Sequence, residues 1–110
     1  MFVVVFEVTM KEGQGPRYFE LAAAMRAEVE KIDGFISVER FESLSTPGKY
    51  VSIQFWRDLA GIDAWRRHAA HAVAQRLGKS EVFADFCITV AETVRSYTLA
   101  DAIARQPVGG

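Results

Sequence analysis

Two amphipathic helical segments, enclosed by strand-forming runs, constrain the fold of this chain more than any other feature. Residues 17–32 and 59–77 both carry apolar side chains at three- and four-residue steps. The runs around them are short and rich in β-branched and aromatic residues, which is typical of strands. The predicted order is therefore strand, helix, strand, strand, helix, strand, with the strands at residues 2–9, 35–43, 50–56 and 86–97.

The boundaries of these segments carry start and stop residues. Pro16 suits the first turn of the first helix, and Gly34 can adopt the left-handed conformation that follows a helix end. Asp58 is placed to cap the second helix, because its carboxylate can accept a hydrogen bond from a free N–H of the first turn. Residues 46–49 predict a turn that makes a hairpin, and residues 80–84 predict a short helical turn.

Length and charge are those of an ordinary globular domain. We predict one domain over residues 1–98 and a partly disordered tail over residues 99–110. The net charge of −1 gives no reason to expect nucleic acid or a membrane as partner. Cys87 stands alone, so no intramolecular disulfide can form. The apolar start carries Glu7 and lacks the basic region of a signal peptide, so the cytoplasm is the expected compartment.

This order of elements fits two right-handed strand–helix–strand units interleaved in one sheet. The predicted class is α+β, a ferredoxin-like βαββαβ fold with a four-stranded antiparallel sheet and both helices on one face. We expect the other face to include Phe41, Trp56 and Cys87, which is too apolar for contact with water alone. A homodimer through the sheet faces is therefore predicted, with the long last strand reaching across to the partner.

A set of short fragments occurs in order along the chain: residues 34–41, 47–52 and 55–58, then Trp65, His71, Ala74, Gln75 and Gly78, and finally Val90, Ala91 and residues 95–97. In this order and spacing the fragments resemble the antibiotic biosynthesis monooxygenase domain family, whose members are dimeric α+β barrels. The resemblance covers nearly all of residues 1–98 and implies the fold and homodimer expected above.

This resemblance also bears on cofactors. The family includes cofactor-free oxygenases of polyketide quinones, quinol monooxygenases and haem-degrading monooxygenases. The haem degraders rely on an Asn, a Trp and a His; Trp65 can stand for the Trp, but the chain contains no Asn and offers Phe6 and Glu7 in the corresponding strand. The family's histidine also lies further along the helix than His68 or His71. The resemblance therefore favours a reaction without haem, and we expect no cofactor.

The second helix carries the candidate site. At ~100° per residue, Ile62, Ala69 and Val73 face the sheet, whereas Asp63, Arg66 and Arg67 lie on one flank and the back. The opposite flank holds no formal charge and is wider than packing on the sheet requires, which predicts a pocket, a partner subunit or the C-terminal tail against it. Its members are Ala60, Gly61, Ala64, Trp65, His68, His71, Ala72 and Gln75.

These residue types suit a cofactor-free oxygenase, in which the deprotonated substrate itself donates electrons to oxygen. Such an enzyme needs a base, a group that stabilises the anion, and an apolar surface that excludes water from the substrate. We predict His68 or His71 as catalytic base and Trp65 as the aromatic wall. The predicted substrate-binding residues are Trp65, Gln75, Arg40, Arg95 and Trp56, and the predicted substrate is a small aromatic or quinol-type compound.

Structural roles are the alternatives for the same side chains. Trp65 can be core packing, His68 a half-buried hydrogen-bonded histidine, and His71 a partner of Gln75 or of a second subunit. Cys87 is interpreted as a small buried hydrophobic residue, and no third ligand accompanies the two histidines in a metal-binding pattern. Two other functions remain open: a non-catalytic barrel that binds an apolar ligand or has a stress or regulatory role, and a haem binder with His68 or His71 as axial ligand.

Overall fold

The computed structural model describes residues 1–77 and 83–105, with side chains described for residues 1–70 and 84–103. The predicted order of elements is confirmed, with one further helix near the C-terminus. The elements are β1 (Phe2–Met10), α1 (Gly15–Val29), β2 (Phe35–Glu42), β3 (Lys49–Trp56), α2 (Leu59–Leu77), β4 (Phe83–Glu92) and α3 (Leu99–Arg105).

The four strands form one antiparallel sheet in the order β2-β3-β1-β4. In the middle of the sheet Val5 of β1 lies opposite Ile53 of β3 on one side and Thr89 of β4 on the other. Val29 of α1 and Ile62 of α2 both pack with Val4, so the two helices lie on the same face. The ferredoxin-like α+β fold is thus confirmed.

Alternate residues of β1 form the floor of the core. Val4 packs with Val29, Trp56 and Ile62 in one cluster, and Val8 packs with Tyr18 in a second. The two clusters lie roughly 13 Å apart along the strand, since four residues of β-structure rise about 3.3 Å each. The first cluster holds the start of α2, whereas the second lies under the first turns of α1.

The prediction that Trp56 lies on the outward face of the sheet is wrong. Trp56 is opposite Phe2 on the helix side, is completely buried, and donates a 3.0 Å hydrogen bond from Nε1 to Oε1 of Gln54. Val51, Ile53 and Phe55 alternate with Trp56 along β3, so they lie on the outward face and not, as a Trp56 on that face would require, under the helices. Paired residues of an antiparallel sheet share a face, so the outward face is more apolar than predicted; it contains Val3, Val5, Phe41, Val51, Ile53, Phe55 and Cys87. Cys87 is exposed there within a single chain, not buried as expected.

The connection from β3 to α2 is fixed by Asp58, whose predicted capping role is confirmed. Its Oδ1 accepts a 2.9 Å hydrogen bond from the Gly61 N–H, and its Oδ2 accepts a 2.9 Å bond from Arg57. Arg57 also reaches back to Asp33 at 2.8 Å, next to Gly34, which has the predicted positive φ of 95°. The Gly61 N–H and then Arg57 lower the pKa of Asp58, and Arg57 lowers that of Asp33.

The C-terminal part differs from its prediction in two ways. Strand β4 ends at Glu92 and does not reach Tyr97, and residues 99–105 form α3 where a tail was expected. Thr98 and Asp101 cap this helix reciprocally, each side chain accepting the other's backbone N–H at 3.1 and 3.0 Å. Of the predicted helical turn at 80–84, residues 80–82 lie outside the described residues and 83–84 belong to β4. Within the described residues no helix is long and apolar enough to cross a membrane.

Candidate functional site

The helix side of β4 carries a half-exposed apolar strip. Phe86, Ile88 and Val90 face the same side as Val8, Phe6 and Val4, their partners in β1, and are 56%, 52% and 46% exposed. The rings of Phe6 and Phe86 lie 5.9 Å apart at a tilt of 50°. These residues, called the β4 strip below, offer an apolar surface on which a small flat molecule can lie.

Trp65 packs against the core on the same side of the sheet. It is half-buried and packs against the cluster that contains Val4, whose neighbour in β4 is Val90. Both roles foreseen for Trp65, core packing and a wall beside a ligand, are compatible with this position, because one part of the indole is covered and another remains accessible.

His68 lies one turn further along α2 and contacts α1. Its Nε2 is 3.1 Å from Oε2 of Glu28, and its ring lies 5.9 Å from that of Trp65 at a tilt of 32°. The side chain of His68 is 44% exposed and that of Glu28 is 29% exposed. Because an ionised carboxylate only accepts hydrogen bonds, Nε2 must donate the proton, which leaves Nδ1 as the basic nitrogen of the neutral ring.

His71 and Gln75 continue along α2. Their backbones belong to the helix, but their side chains lie outside the described residues. At three and seven residues beyond His68 they follow the same side of the helix, and their predicted roles stay predictions.

Arg40 lies in the second cluster, away from Trp65. Its guanidinium is 5.6 Å from the ring centre of Tyr18 and 5.5 Å from that of Phe19. Burial raises the pKa of Tyr18, and a hydrogen bond from Arg40 acts in the opposite direction. The structure therefore gives Arg40 aromatic partners of its own and does not place it beside His68.

The remaining predicted contacts are also dispersed. Arg95 is exposed in the segment between β4 and α3, beyond Glu92, and within the described residues no hydrogen bond or ion pair joins it to Trp65 or His68. Trp56 meets Phe35 edge-on at 5.4 Å inside the core, and its burial leaves no surface for a substrate. Within the part of the chain that the structure describes, no group of three His, Cys, Asp or Glu side chains could hold a metal ion.

Glu28 is the site residue that the sequence did not reveal. It is 40 positions from His68, and in the sequence it looks like one more polar residue on the solvent side of α1. No local spacing connects two helices that meet only after folding, so only the tertiary structure brings this carboxylate to the imidazole.

Comparison with known proteins identifies the family. The sequence profile of the family described as "Antibiotic biosynthesis monooxygenase" matches residues 1–77. The chain belongs to this family. The predicted resemblance is thereby confirmed, and membership in the antibiotic biosynthesis monooxygenase family supports a monooxygenase-like function.

Two relatives show how similar this chain is in sequence to other proteins. Over 96 residues it is 38% identical to the jasmonate monooxygenase ABM of Pyricularia oryzae, in a match that covers 87% of this chain and 45% of the relative. The chain thus spans less than half the length of that relative. It is 26% identical to the uncharacterized protein YqjZ of Bacillus subtilis, covering 86% of this chain and 80% of that protein.

Solved structures share the fold at low identity. Rv0793 from Mycobacterium tuberculosis superposes with a TM-score of 0.74 at 17% identity, covering 88% of this chain and 98% of that one. A MhuD variant with manganese protoporphyrin IX bound superposes with a TM-score of 0.73 at 18% identity, covering 89% and 99%. At these identities the similarity shows a common fold and leaves the chemistry to the side chains of each protein.

Proposed function

We propose that this family member is a cofactor-independent monooxygenase that oxidises a small aromatic or quinol-type compound over the β4 strip. The observation that carries the proposal is the pairing of Trp65 and His68, whose rings lie 5.9 Å apart on a helix that packs over the same sheet face as the half-exposed β4 strip. Family membership supports the reaction type, and the exposed Phe86 and Ile88 support an apolar, ring-containing substrate.

The chemistry balances without a reductant if the substrate has an acidic CH₂ group conjugated to a phenol or ketone. A base removes one proton, and the resulting carbanion donates electrons to O₂. For such a CH₂ compound two C–H bonds break, one oxygen atom becomes the new carbonyl, and the other leaves as water. For a quinol one C–H and two O–H bonds break, one oxygen atom becomes a further oxygen of the quinone, and the other leaves as water. In both cases the four electrons come from the substrate. The protein then has only to remove the proton, hold the anion and exclude water.

His68 is the proposed base, through Nδ1, and Trp65 is the proposed wall against which the substrate ring stacks. His71 and Gln75 are proposed to extend the same site along α2. Arg95 stays a proposed anion partner. Arg40 and Trp56 are not retained, because one is held at Tyr18 and Phe19 and the other is buried.

A non-catalytic ligand binder is the second candidate. The half-exposed β4 strip favours it, because an apolar surface binds an apolar ligand whether or not a base lies nearby. Haem chemistry ranks lower, since the chain contains no Asn and the Nε2 of His68, which would be a metal ligand, already bonds Glu28.

We further propose that the outward face of the sheet is covered by a second copy of the chain. Its central residues Val5, Ile53 and Phe55 form a continuous apolar surface with their neighbours in the sheet. An apolar sheet face of this kind is stable in water only when another layer covers it. The exposure of Val94 and Leu99, which follow β4, supports a contribution of the C-terminal segment to this contact.

Oxygen uptake with a panel of hydroquinones and anthrones tests the enzyme proposal. We expect consumption of one O₂ per quinone formed, and a fall in kcat of about 10²-fold in His68→Ala, the size of a general base contribution. Arg66→Ala, an exposed residue on the same helix, is the matched control and should keep full activity. Binding of the same compounds without oxygen uptake would replace the enzyme with the ligand binder.

A further inference from the structure

We propose that Glu28 is the positioning residue for His68, fixing its tautomer so that Nδ1 faces the substrate as the base. This inference rests on the proposed function and names a residue that acts through His68 instead of touching the substrate. It begins from the 3.1 Å contact between Nε2 of His68 and Oε2 of Glu28.

The pair is held by rigid neighbours on both sides. Glu28 directly precedes Val29, which is 2% exposed, and His68 follows Trp65 by one helical turn. Val29 and Trp65 pack in the same cluster around Val4, so both helices are fixed to the same part of the sheet. A carboxylate and an imidazole mounted in this way keep their distance better than two side chains on loops.

The second oxygen of Glu28 has a different partner. Nζ of Lys31 lies 3.9 Å from Oε1, one turn further along α1. Oε2 therefore remains directed at His68, and Lys31 places a positive charge beside the other oxygen of the carboxylate. Because Lys31 is 72% exposed, its contribution is screened by solvent.

The consequence for catalysis is a His68 imidazole with one tautomer and one orientation. A half-exposed histidine without a partner rotates and exchanges between its two neutral tautomers. The hydrogen bond to Glu28 holds the proton on Nε2, turns Nδ1 away from α1, and stabilises the imidazolium that forms when the substrate loses its proton. A base oriented by a third group is the general arrangement of activated catalytic histidines.

The test combines NMR of the resting protein with kinetics. The chain has two histidines, so selective ¹⁵N-histidine labelling gives two imidazoles, and His71→Gln identifies the signals of His68. At a pH where the ring is neutral, we expect the Nε2–H tautomer of His68 to dominate. In Glu28→Ala the two tautomers should mix, and kcat should fall about 10-fold with KM nearly unchanged, less than the ~10²-fold expected for loss of the base itself.

Glu30→Gln is the matched control, since it neutralises a carboxylate of the same helix that pairs with Arg26. It should leave the tautomer and kcat unchanged. Glu28→Gln retains an acceptor and should keep most of the tautomer preference while weakening the stabilisation of the imidazolium.

Two results would overturn the positioning role. The first is a His68 tautomer that does not change in Glu28→Ala. The second is a changed tautomer with unaltered kcat, which would make the pair a structural contact between α1 and α2. If wild-type protein turns over no substrate while its tautomer still depends on Glu28, the proposed function fails and Glu28 is only a structural partner. Thermal unfolding of each variant separates these outcomes from a general loss of structure.

Discussion

Gly61→Ala should destabilise the protein, although alanine is normally the better helix former. An added Cβ would lie 2.6 Å from the backbone oxygen of Asp33 and 3.0 and 3.2 Å from two ring carbons of Trp56. Neither neighbour can retreat easily, because one is backbone and the other is completely buried. Glycine here is required by the close approach of α2 to the core.

Two opposing effects set the change in unfolding free energy that Gly61→Ala causes. Overpacking of this kind costs about 1–3 kcal/mol, whereas replacing glycine by alanine in a helix gains at most about 1 kcal/mol from propensity and the unfolded state. A contact of 2.6 Å with a backbone oxygen belongs in the upper part of that range, about 2–3 kcal/mol, so the expected net loss is about 1–2 kcal/mol of unfolding free energy. For a chain of this length, 1 kcal/mol corresponds to about 4 °C in Tm, so Tm should fall by about 4–8 °C.

Urea and thermal unfolding followed by circular dichroism, at one fixed protein concentration, measure this effect. Gly15→Ala is the matched control: Gly15 is the first residue of α1, and an added Cβ there meets no atom within 4 Å. That variant should lose less stability than Gly61→Ala, because only the restriction that Pro16 places on the preceding residue acts against it. If Gly61→Ala were as stable as Gly15→Ala, the close approach between α2 and the Asp33 backbone would be refuted.

Three further outcomes follow from the same structure. Arg57→Met should move acid unfolding to higher pH: Arg57 lowers the pKa of Asp33 and contributes to lowering that of Asp58, so their stabilisation is complete above the ordinary value of 3.8 and is lost as pH falls through the lowered values. Gly34→Ala should cost about 1–2 kcal/mol in urea unfolding, because φ is +95° there. Val5→Glu should convert the proposed dimer to a monomer in analytical ultracentrifugation, because it places a charge in the centre of the outward face.

Each of these three predictions has its own control variant. Arg66→Met removes an exposed arginine of α2 and should leave the pH of acid unfolding unchanged. If Arg57→Met and Arg66→Met unfolded at the same pH, the ion pairs of Arg57 with Asp33 and Asp58 would be contradicted as the cause. Gly48→Ala shares a positive φ of 81° but meets no atom within 4 Å, so it should cost less than Gly34→Ala. Leu44→Glu changes a fully exposed loop residue and should leave the mass unchanged. A wild-type chain that sediments as a monomer would refute the dimer.

Much of the fold was predictable because local signals agree with the tertiary arrangement. Asp58 caps α2 as predicted, and Gly34 adopts the left-handed conformation. The capping pair of Thr98 and Asp101 is a local signal of the same kind for the start of α3.

The faces of β3 were not predictable in the same way. An alternating strand shows which residues share a face, yet the alternation does not say which face meets the helices. Val51, Ile53 and Phe55 looked like the core set, but the register with β1 puts Trp56 and Gln54 under the helices. Trp56 favours this orientation, because its large ring packs with Val29 of α1 and Ile62 of α2 and its N–H donates a hydrogen bond to Gln54.

The sequence by itself determined the order of the elements, the fold class, the family and the uncharged flank of α2 that carries Trp65 and His68. Helical periodicity, capping and turn chemistry are local, and a chain of this order has few ways to close a sheet. Only the tertiary structure decided that Arg40 stands apart from His68 and that Glu28 lies against it. Those relations depend on how two helices pack over a common sheet, which is a property of distances between residues far apart in the chain.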